Sequence, residues 1–509
     1  MNQVSTLTRR EILKLLSLSP LLALPGSTNQ EVATSNDSNL PNIVVLVFDA
    51  WSARHMPFYG YPRNTMPNLS KFLERATVYH SHHSAALFTS PGTASILTSR
   101  YPWNHRAFNF NGEIIKGEVS NNIFSALAGT PYTRMGFSQN PLAIFLLDQF
   151  SKDLEKFPMP DETALIDYVL SDNIFGNDFR TASVMESSYL RPHTDTPLSF
   201  VLSLVEKYIY NQDYREFNAA FKEQYPLGPV AHQGRSYLMP EIMDWVRTAV
   251  NALPKPSFSY IHLFPPHDPT RPSAKFLGSF NDSWSPLEKP HHHFSAGFPQ
   301  DELNRRRQLY DEYIAYLDEE FGKVLTSWDE DGVLENTILM ITSDHGEMFE
   351  RGIYAHSGPA LFQPVIQVPL IIAEPGQTTR KDIYTPTSSV DLLPTIMQLG
   401  GQPIPSWCEG RVLPPYGGAV SERSIFAADL KTSAITAPIV QGSFAVIRKN
   451  YKLNYFMGYE MGDASLELYD LENDPEEMEN LASRFPEIAN SMKAEIDRKI
   501  EESNKLYQR

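Results

Sequence analysis

The chain has 509 residues, of which 42% are hydrophobic and 20% charged, a composition that excludes an intrinsically disordered protein. The length allows about two to four domains. The formal net charge of −17 at pH 7 disfavours nucleic-acid binding, and the single cysteine, Cys408, excludes an internal disulfide.

The first segment has the pattern of an export signal. Arg9 and Arg10 precede an apolar run at residues 15–24, which a polar stretch follows. The run is shorter than the ~20 residues that cross a bilayer, and the paired arginine resembles a twin-arginine signal. An amphipathic helix is the alternative interpretation. We predict a signal and linker over residues 1–36 and a periplasmic or extracellular location. The only membrane anchor compatible with this prediction is the N-terminal segment itself, if it is not cleaved.

Two apolar runs rich in β-branched residues predict buried parallel strands. Residues 42–48 lead into Asp49, and residues 337–343 lead into Asp344. In open α/β sheets, ligands bind beyond the carboxyl ends of the strands. The two acids are therefore candidates for one shared site.

Alternating strands and helices predict a doubly wound α/β domain over residues 39–400, with a mixed or mostly parallel sheet. Further strands are expected at residues 257–264 and 368–373. Apolar residues at helical spacing predict a helix over residues 305–328. Residues 138–242 lack a strand rhythm, and we interpret them as a mostly helical insertion.

A proline cluster at residues 403–416 indicates a linker into a smaller α+β unit at residues 401–509. Residues 444–448 and 451–453 predict paired strands. Residues 488–507 predict a charged closing helix.

Two hydroxyl residues, Thr89 and Ser90, stand directly before Pro91 at the start of an apolar stretch. Proline favours the first helical position, so a helix is expected to open here. A hydroxyl at a helix N-terminus faces backbone N–H groups and the positive end of the helix dipole, which suits a transferring phosphoryl or sulfuryl group. An ordinary helix cap is the alternative.

Several short motifs occur in one characteristic order, at residues 42–49, 89–102, 266–269, 342–347, 367–372, 391–395 and 467–475. In this order they resemble the sulfatase family of the alkaline-phosphatase superfamily. The resemblance runs from residue 40 to the end of the chain, apart from residues 138–242. It implies an alkaline-phosphatase-like α/β fold and an enzyme that acts on ester bonds.

Three residues depart from the pattern of that family. At the position of Thr89, a usual sulfatase has a Cys or Ser that is oxidised to formylglycine. At the position of Thr93 it has an Arg. Threonine cannot form the aldehyde, so formylglycine is excluded. Ala50 follows Asp49 where a second acid is usual.

The remaining residues resemble the threonine-using branch, which includes phosphoethanolamine transferases and lipoteichoic acid synthases. This resemblance implies that Asp49, Thr89, Asp344 and His345 hold one divalent metal ion. Mixed nitrogen and oxygen ligands suit Zn²⁺ or Mn²⁺ better than Mg²⁺ or Ca²⁺, which stay open as alternatives. The cation would lower the pKa of the Thr89 hydroxyl and make it the nucleophile.

The same resemblance implies that His267 and His356 contact the phosphoryl oxygens and the leaving group; loop histidines without such a role are the alternative. We expect a hydrolase or transferase that acts on phosphoryl esters through a covalent intermediate on Thr89. Its substrate would be a small-molecule, glycan or lipid-headgroup ester. Hydrolysis of sulfate esters without formylglycine and a catalytically degenerate binding protein are the two alternatives.

Overall fold

The computed structural model describes residues 40–507, except 110–111, 159–161, 165, 168–214, 217, 233–234, 418–421 and 462–464. The predicted export signal at residues 1–36 and much of the predicted helical insertion at 138–242 lie outside the described residues. Within the described part, every helix is too short or too polar to serve as a membrane span.

A seven-stranded mixed sheet forms the centre of the described fold. In order across the sheet, its strands are Lys381–Ile383, Thr77–Tyr79, Leu370–Ala373, Thr337–Thr342, Asn42–Phe48, Ser257–Leu263 and Thr133–Ser138. Asn42–Phe48 pairs in parallel with both of its neighbours, whereas Leu370–Ala373 runs antiparallel to both of its own. The predicted α/β class is confirmed.

The strand Asn42–Phe48 is apolar along most of its length because both of its faces are covered. Alternate side chains enter two different cores, with Val44 in one and Val45 in the other. The long helix Gln300–Glu330 covers the first face, where Phe321 packs edge-on against Phe48 with ring centres 5.2 Å apart. This helix extends beyond both ends of its predicted range.

Helices lie on both sides of the central sheet, as expected for a doubly wound fold. The helices are Pro67–Phe72, Thr89–Thr98, Pro102–His105, Ile123–Ala126, Pro141–Gln149, Met239–Asn251, Gln300–Glu330, Gln363–Ile366, Leu392–Leu399 and Pro486–Asn504. Short strands pair in three small sheets, Phe349–Glu350 with Ile353–Tyr354, His82–His83 with Thr387–Ser388, and Arg235–Tyr237 with Ile166–Asp167 and Val230–His232.

The C-terminal part contains a four-stranded antiparallel sheet. Its strands, in order, are Ile425–Asp429, Gly442–Arg448, Tyr451–Met457 and Leu466–Asp470. The helix Pro486–Asn504 packs against it through buried Met492 and Ile496. The expected strand pair and closing helix are therefore present, and the strand Ile425–Asp429 was not predicted.

The helix that carries Thr89 is seated directly on the loop that carries Asp344. It begins at Thr89, earlier than the proline at position 91 predicts. A Cβ atom on Gly92 would lie 2.5 Å from the backbone oxygen of Asp344. Glycine at this helical position therefore allows backbone to meet backbone.

Candidate active site

Asp49, Thr89, Asp344 and His345 come together beyond the carboxyl ends of the parallel strands. His345 Nε2 lies 3.4 Å from Asp49 Oδ1 and 3.6 Å from Asp344 Oδ2. Thr89 Oγ1 lies 3.4 Å from the same nitrogen. All four side chains are buried. Four residues from three separate motifs thus occupy one place in the fold.

The donor atoms fit a divalent cation. Asp49 Oδ1 and Asp344 Oδ2 are buried and have no hydrogen-bond partner among the described residues, whereas buried polar atoms are normally paired. Ligands of a tetrahedral ion with bonds of ~2.1 Å lie about 3.4 Å apart, similar to the spacing found here. His345 Nδ1 bonds the Gly346 carbonyl at 3.0 Å, and its Nε2 faces the acids.

The charges of this cluster depend on one another. Burial raises the pKa of Asp344, and the neighbouring carboxylate of Asp49 raises it further. Burial disfavours the charged form of His345, but Asp344 and Asp49 outweigh it and raise the pKa of this imidazole to about 9. An imidazolium therefore balances the carboxylates in the metal-free protein, a role that a bound cation would take over.

Asn140 is a site residue that sequence reasoning missed. Its Nδ2 donates to Asp49 Oδ2 and, at 3.2 Å, to Thr89 Oγ1. Its Oδ1 accepts from the Leu142 N–H at 2.9 Å, which fixes the orientation of the amide. Asn140 follows the strand Thr133–Ser138 at the same sheet edge, but this strand was not predicted, so the search for polar residues after predicted strands did not reach it.

His262 was also missed. It lies fully buried near the end of Ser257–Leu263, with Nε2 3.3 Å from Asp49 Oδ2 and 3.8 Å from Asp344 Oδ2. Its Nδ1 is 3.4 Å from Oγ1 of Thr93, the residue at the position of the usual family arginine. A lone histidine in an apolar strand was the available signal. The imidazole thus places a ring nitrogen beside the carboxylates of both Asp49 and Asp344.

His267, Glu347 and His356 form a second cluster beside the first. One donor atom from each lies within 4.8 Å of the others, and His356 Nδ1 is 3.3 Å from Glu347 Oε1. The ring centres of His356 and His345 are 4.4 Å apart, and those of His267 and His356 are 5.1 Å apart. Both histidines predicted to contact substrate thus lie at the site. Glu347 had no predicted role.

Glu347 and His356 are both shifted towards their neutral forms. Burial raises the pKa of Glu347 well above its usual value, and the carboxylates of Asp268 and Asp49 add to this effect. Burial lowers the pKa of His356 well below its usual value, and the neighbouring His345 lowers it further. A neutral imidazole retains a lone pair, so it is able to bind a metal ion or accept a proton.

The fold and the convergent motifs define a protein of the sulfatase class. The chain belongs to the sulfatase family, whose sequence profile matches residues 41–402. A second profile, described as N-sulphoglucosamine sulphohydrolase, C-terminal, matches residues 352–504. Members of the sulfatase family are metal-dependent, in keeping with the donor set found here.

Two named relatives and one solved structure show the extent of the similarity. Arylsulfatase K of Bos taurus is 27% identical over 288 residues, which cover 49% of this chain and about half, 52%, of that protein. Choline-sulfatase of Rhizobium meliloti (strain 1021) is 24% identical over 469 residues, covering 87% and 82%. The phosphonate monoester hydrolase of Agrobacterium radiobacter has a TM-score of 0.65 at 16% identity, covering 91% and 96%. This last similarity establishes the fold.

Proposed function

We propose that the protein is a metal-dependent hydrolase of phosphoryl esters that uses Thr89 as a covalent nucleophile. The position of the Thr89 hydroxyl carries this proposal. Oγ1 lies 3.4 Å from His345 Nε2 and 3.2 Å from Asn140 Nδ2, at the first residue of a buried helix. The hydroxyl is thus placed to share the cation that the two carboxylates and the imidazole would hold.

Asp49, Asp344 and His345 would hold that cation, and their mixed ligand set favours Zn²⁺ or Mn²⁺. When bound, the ion lowers the pKa of an adjacent hydroxyl and stabilises charge on the transferring group. Asn140 adds to this effect from the protein side. Because its Oδ1 is engaged by the Leu142 N–H, it presents Nδ2 to Thr89 and donates to the nucleophilic oxygen.

The reaction would proceed in two displacements on phosphorus. Thr89 Oγ1 loses its proton and forms a bond to phosphorus while the ester bond to the leaving oxygen breaks, and that oxygen takes up one proton in place of the one that Thr89 released. His267 and His356 lie beside His345, where they would stabilise the leaving group. Water then attacks phosphorus, the bond to Thr89 Oγ1 breaks, and the hydroxyl is restored.

Sulfate esters are a second candidate substrate class. Two relatives are named arylsulfatase K and choline-sulfatase, which favours sulfate, whereas the phosphonate monoester hydrolase favours a phosphorus centre. The same residues would serve both, because each reaction transfers a tetrahedral group between oxygens. Membership of the threonine-using branch also depends on whether Thr89 is the nucleophile.

A comparison of three ester classes tests the proposed function. We expect the purified protein, loaded with Zn²⁺ or Mn²⁺, to hydrolyse an aryl phosphonate monoester and an aryl phosphodiester. We expect kcat/KM for an aryl sulfate to be at least about tenfold lower, because threonine occupies the position at which usual sulfatases have formylglycine. The opposite ranking would support the sulfate alternative. A metal-loaded protein that turns over none of the three would support a binding protein.

We also propose that residues 1–36 direct export of the protein. The double substitution Arg9→Lys and Arg10→Lys keeps the positive charge but removes the arginine pair. We expect the exported fraction of the full chain to fall at least about tenfold, as measured by cell fractionation. Lys14→Arg is the matched control and should export normally. Normal export of the double variant would contradict a twin-arginine signal.

A further inference from the structure

A cavity of about 770 Å³ lies between the helix Leu392–Leu399 and residues 404–417. This volume falls within the roughly 300–1,000 Å³ typical of ligand pockets. Asp391, residues 385–387, residues 422–423 and Lys449 complete its walls. The proposed function uses none of the residues that line it.

The cavity is separate from the site where esters would be cleaved. Ser99 follows the last residue of the helix Thr89–Thr98, and its Oγ accepts from the N–H of Gly410, a cavity residue, at 3.1 Å. This helix has ten residues and spans about 15 Å. A ligand in the cavity would therefore lie beyond the end of the helix that is far from Thr89.

Arg423 gives the cavity a cation with unused hydrogen-bond donors. Its side chain is 16% exposed, and within the described part of the chain its guanidinium is hydrogen-bonded only to the buried carboxylate of Asp391. Asp391 is itself held by the backbone N–H groups of Ser388 at 2.8 Å and Arg411 at 2.9 Å. Because a guanidinium has five N–H donors in a planar fork, Arg423 retains donors for an anion that enters the cavity.

Lys449 brings a second positive charge to the cavity. It occupies the turn between the strands Gly442–Arg448 and Tyr451–Met457, and its Nζ lies 3.2 Å from a carboxylate oxygen of Glu422. The two side chains are 63% and 76% exposed, and such exposed ion pairs are weak, so an incoming anion is able to replace Glu422. Three basic and two acidic side chains line the cavity, whereas the whole chain has a net charge of −17. The cavity therefore favours negative charge locally.

The remaining walls suit a ring that carries hydroxyl groups. Pro394, Pro414 and Tyr416 contribute apolar surface, whereas Thr385 and Gln398 contribute hydrogen-bonding groups. Ligand pockets commonly combine apolar walls with a few polar groups that fix the orientation of the ligand. The apolar surface matches the C–H groups of a sugar ring, and the polar groups match its hydroxyls.

An exposed aromatic ring lies next to this cavity in the chain. Tyr384, directly before Thr385, is 70% exposed, and its ring stacks on that of His80 with centres 4.5 Å apart. His80 is held in turn by Asp382, whose Oδ1 lies 2.6 Å from His80 Nε2. A ring fixed in this way offers an amphipathic contact surface at low entropic cost, which favours a saccharide over a simple ion.

We propose that this cavity binds an acidic saccharide at a site distinct from the one where esters are cleaved. Arg423 and Lys449 would hold the acidic group, and Tyr384 would contact a further sugar ring. The saccharide is bound without being changed, so the inference does not depend on Thr89 as the nucleophile. It adds glycan binding to the functions of the chain.

Titration calorimetry on the full chain tests this inference without measuring turnover. The probes are a tetrasaccharide of alternating glucuronate and N-acetylglucosamine, a neutral tetrasaccharide of N-acetylglucosamine alone, and glucose 6-phosphate. We expect both acidic probes to bind, and the neutral one to bind at least about tenfold more weakly. Lys449→Ala and Arg423→Lys should each lower the affinity for the acidic probes about tenfold. Tyr384→Ala should weaken binding of the acidic tetrasaccharide more than that of glucose 6-phosphate.

The variants are chosen so that the fold persists. Arg423→Lys removes the planar fork but keeps a positive charge beside the buried carboxylate of Asp391. Lys505→Ala is the matched control for Lys449→Ala, because Lys505 is also 63% exposed and pairs with Glu501 at 3.9 Å, away from the cavity. It should bind the probes as the wild type does.

Three results would overturn the inference. The first is a wild type that binds neither acidic probe. The second is an affinity for the acidic probes that Lys449→Ala and Arg423→Lys both leave unchanged, which would place the binding elsewhere on the chain. The third is equal affinity for the neutral and the acidic tetrasaccharide. A protein that hydrolyses no ester but binds the acidic probes as expected would overturn the proposed function and leave this site standing.

Discussion

Thr89→Ala is expected to lower kcat by at least about a thousandfold on the preferred ester, because it removes the oxygen that attacks phosphorus. The fold should persist, since the change removes one hydroxyl and one methyl from a buried helix and costs about 1–3 kcal/mol. Steady-state kinetics give the loss of turnover, and thermal unfolding checks the fold. Bound metal should be retained, because Asp49, Asp344 and His345 are unchanged.

Thr98→Ala is the matched control for this prediction. It makes the same chemical change at the other end of the same helix, where the hydroxyl bonds the Ala94 carbonyl at 2.7 Å. Its activity should stay near that of the wild type. Mass spectrometry of wild-type protein quenched during turnover should find the transferred group on Thr89. Near-normal activity of Thr89→Ala would remove the nucleophile assignment.

Asp344→Asn is expected to abolish hydrolysis and to remove the stabilisation that a bound cation provides. A ligand present at 1,000 times its Kd stabilises a fold by about 4 kcal/mol, so Zn²⁺ should raise the wild-type Tm by several degrees. The variant should show little increase. Thermal unfolding with and without Zn²⁺ measures the difference, and an equal increase in both proteins would contradict the proposed ligand.

The same variant without metal should unfold at or above the Tm of the metal-free wild type. Burial and the charge of Asp49 raise the pKa of Asp344, so its ionisation costs stability as the pH rises. An amide removes this cost. A metal-free variant that unfolds well below the wild type would show that the carboxylate has a structural role beyond cation binding.

The affinity for the cation held by Asp49, Asp344 and His345 should increase with pH. In the metal-free protein the pKa of His345 is raised to about 9, so at neutral pH the cation must displace a proton from this imidazole. The apparent Kd should therefore fall about tenfold per pH unit below that value, if this proton alone competes. Titration calorimetry between pH 6 and 8 measures the slope. A Kd independent of pH would contradict the role of His345 as a ligand.

The main strands were predictable because burial on both faces leaves a continuous apolar run. Asn42–Phe48 and Thr337–Thr342 show this pattern, and it also located the acids at their ends. Short strands such as Thr77–Tyr79 and Lys381–Ile383 were not predicted. Three residues are too few to show a period, and their pairing depends on neighbours distant in sequence.

The site was only partly predictable for a similar reason. Motifs revealed Asp344 and His345, but Asn140 and His262 are single polar residues without a surrounding pattern. Their importance depends on the strand order, in which Ser257–Leu263 lies between Asn42–Phe48 and Thr133–Ser138. That order arises from packing among distant segments and cannot be deduced from local spacing.

The contact between Gly92 and the Asp344 carbonyl affects which residues position 89 is able to accept. Because no side chain separates the two segments, contact between their main chains sets the distance from the backbone at position 89 to the carboxylates. A different residue at position 89 would therefore start from the same backbone position. Such a scaffold is able to exchange its attacking group during evolution while the rest of its architecture stays still.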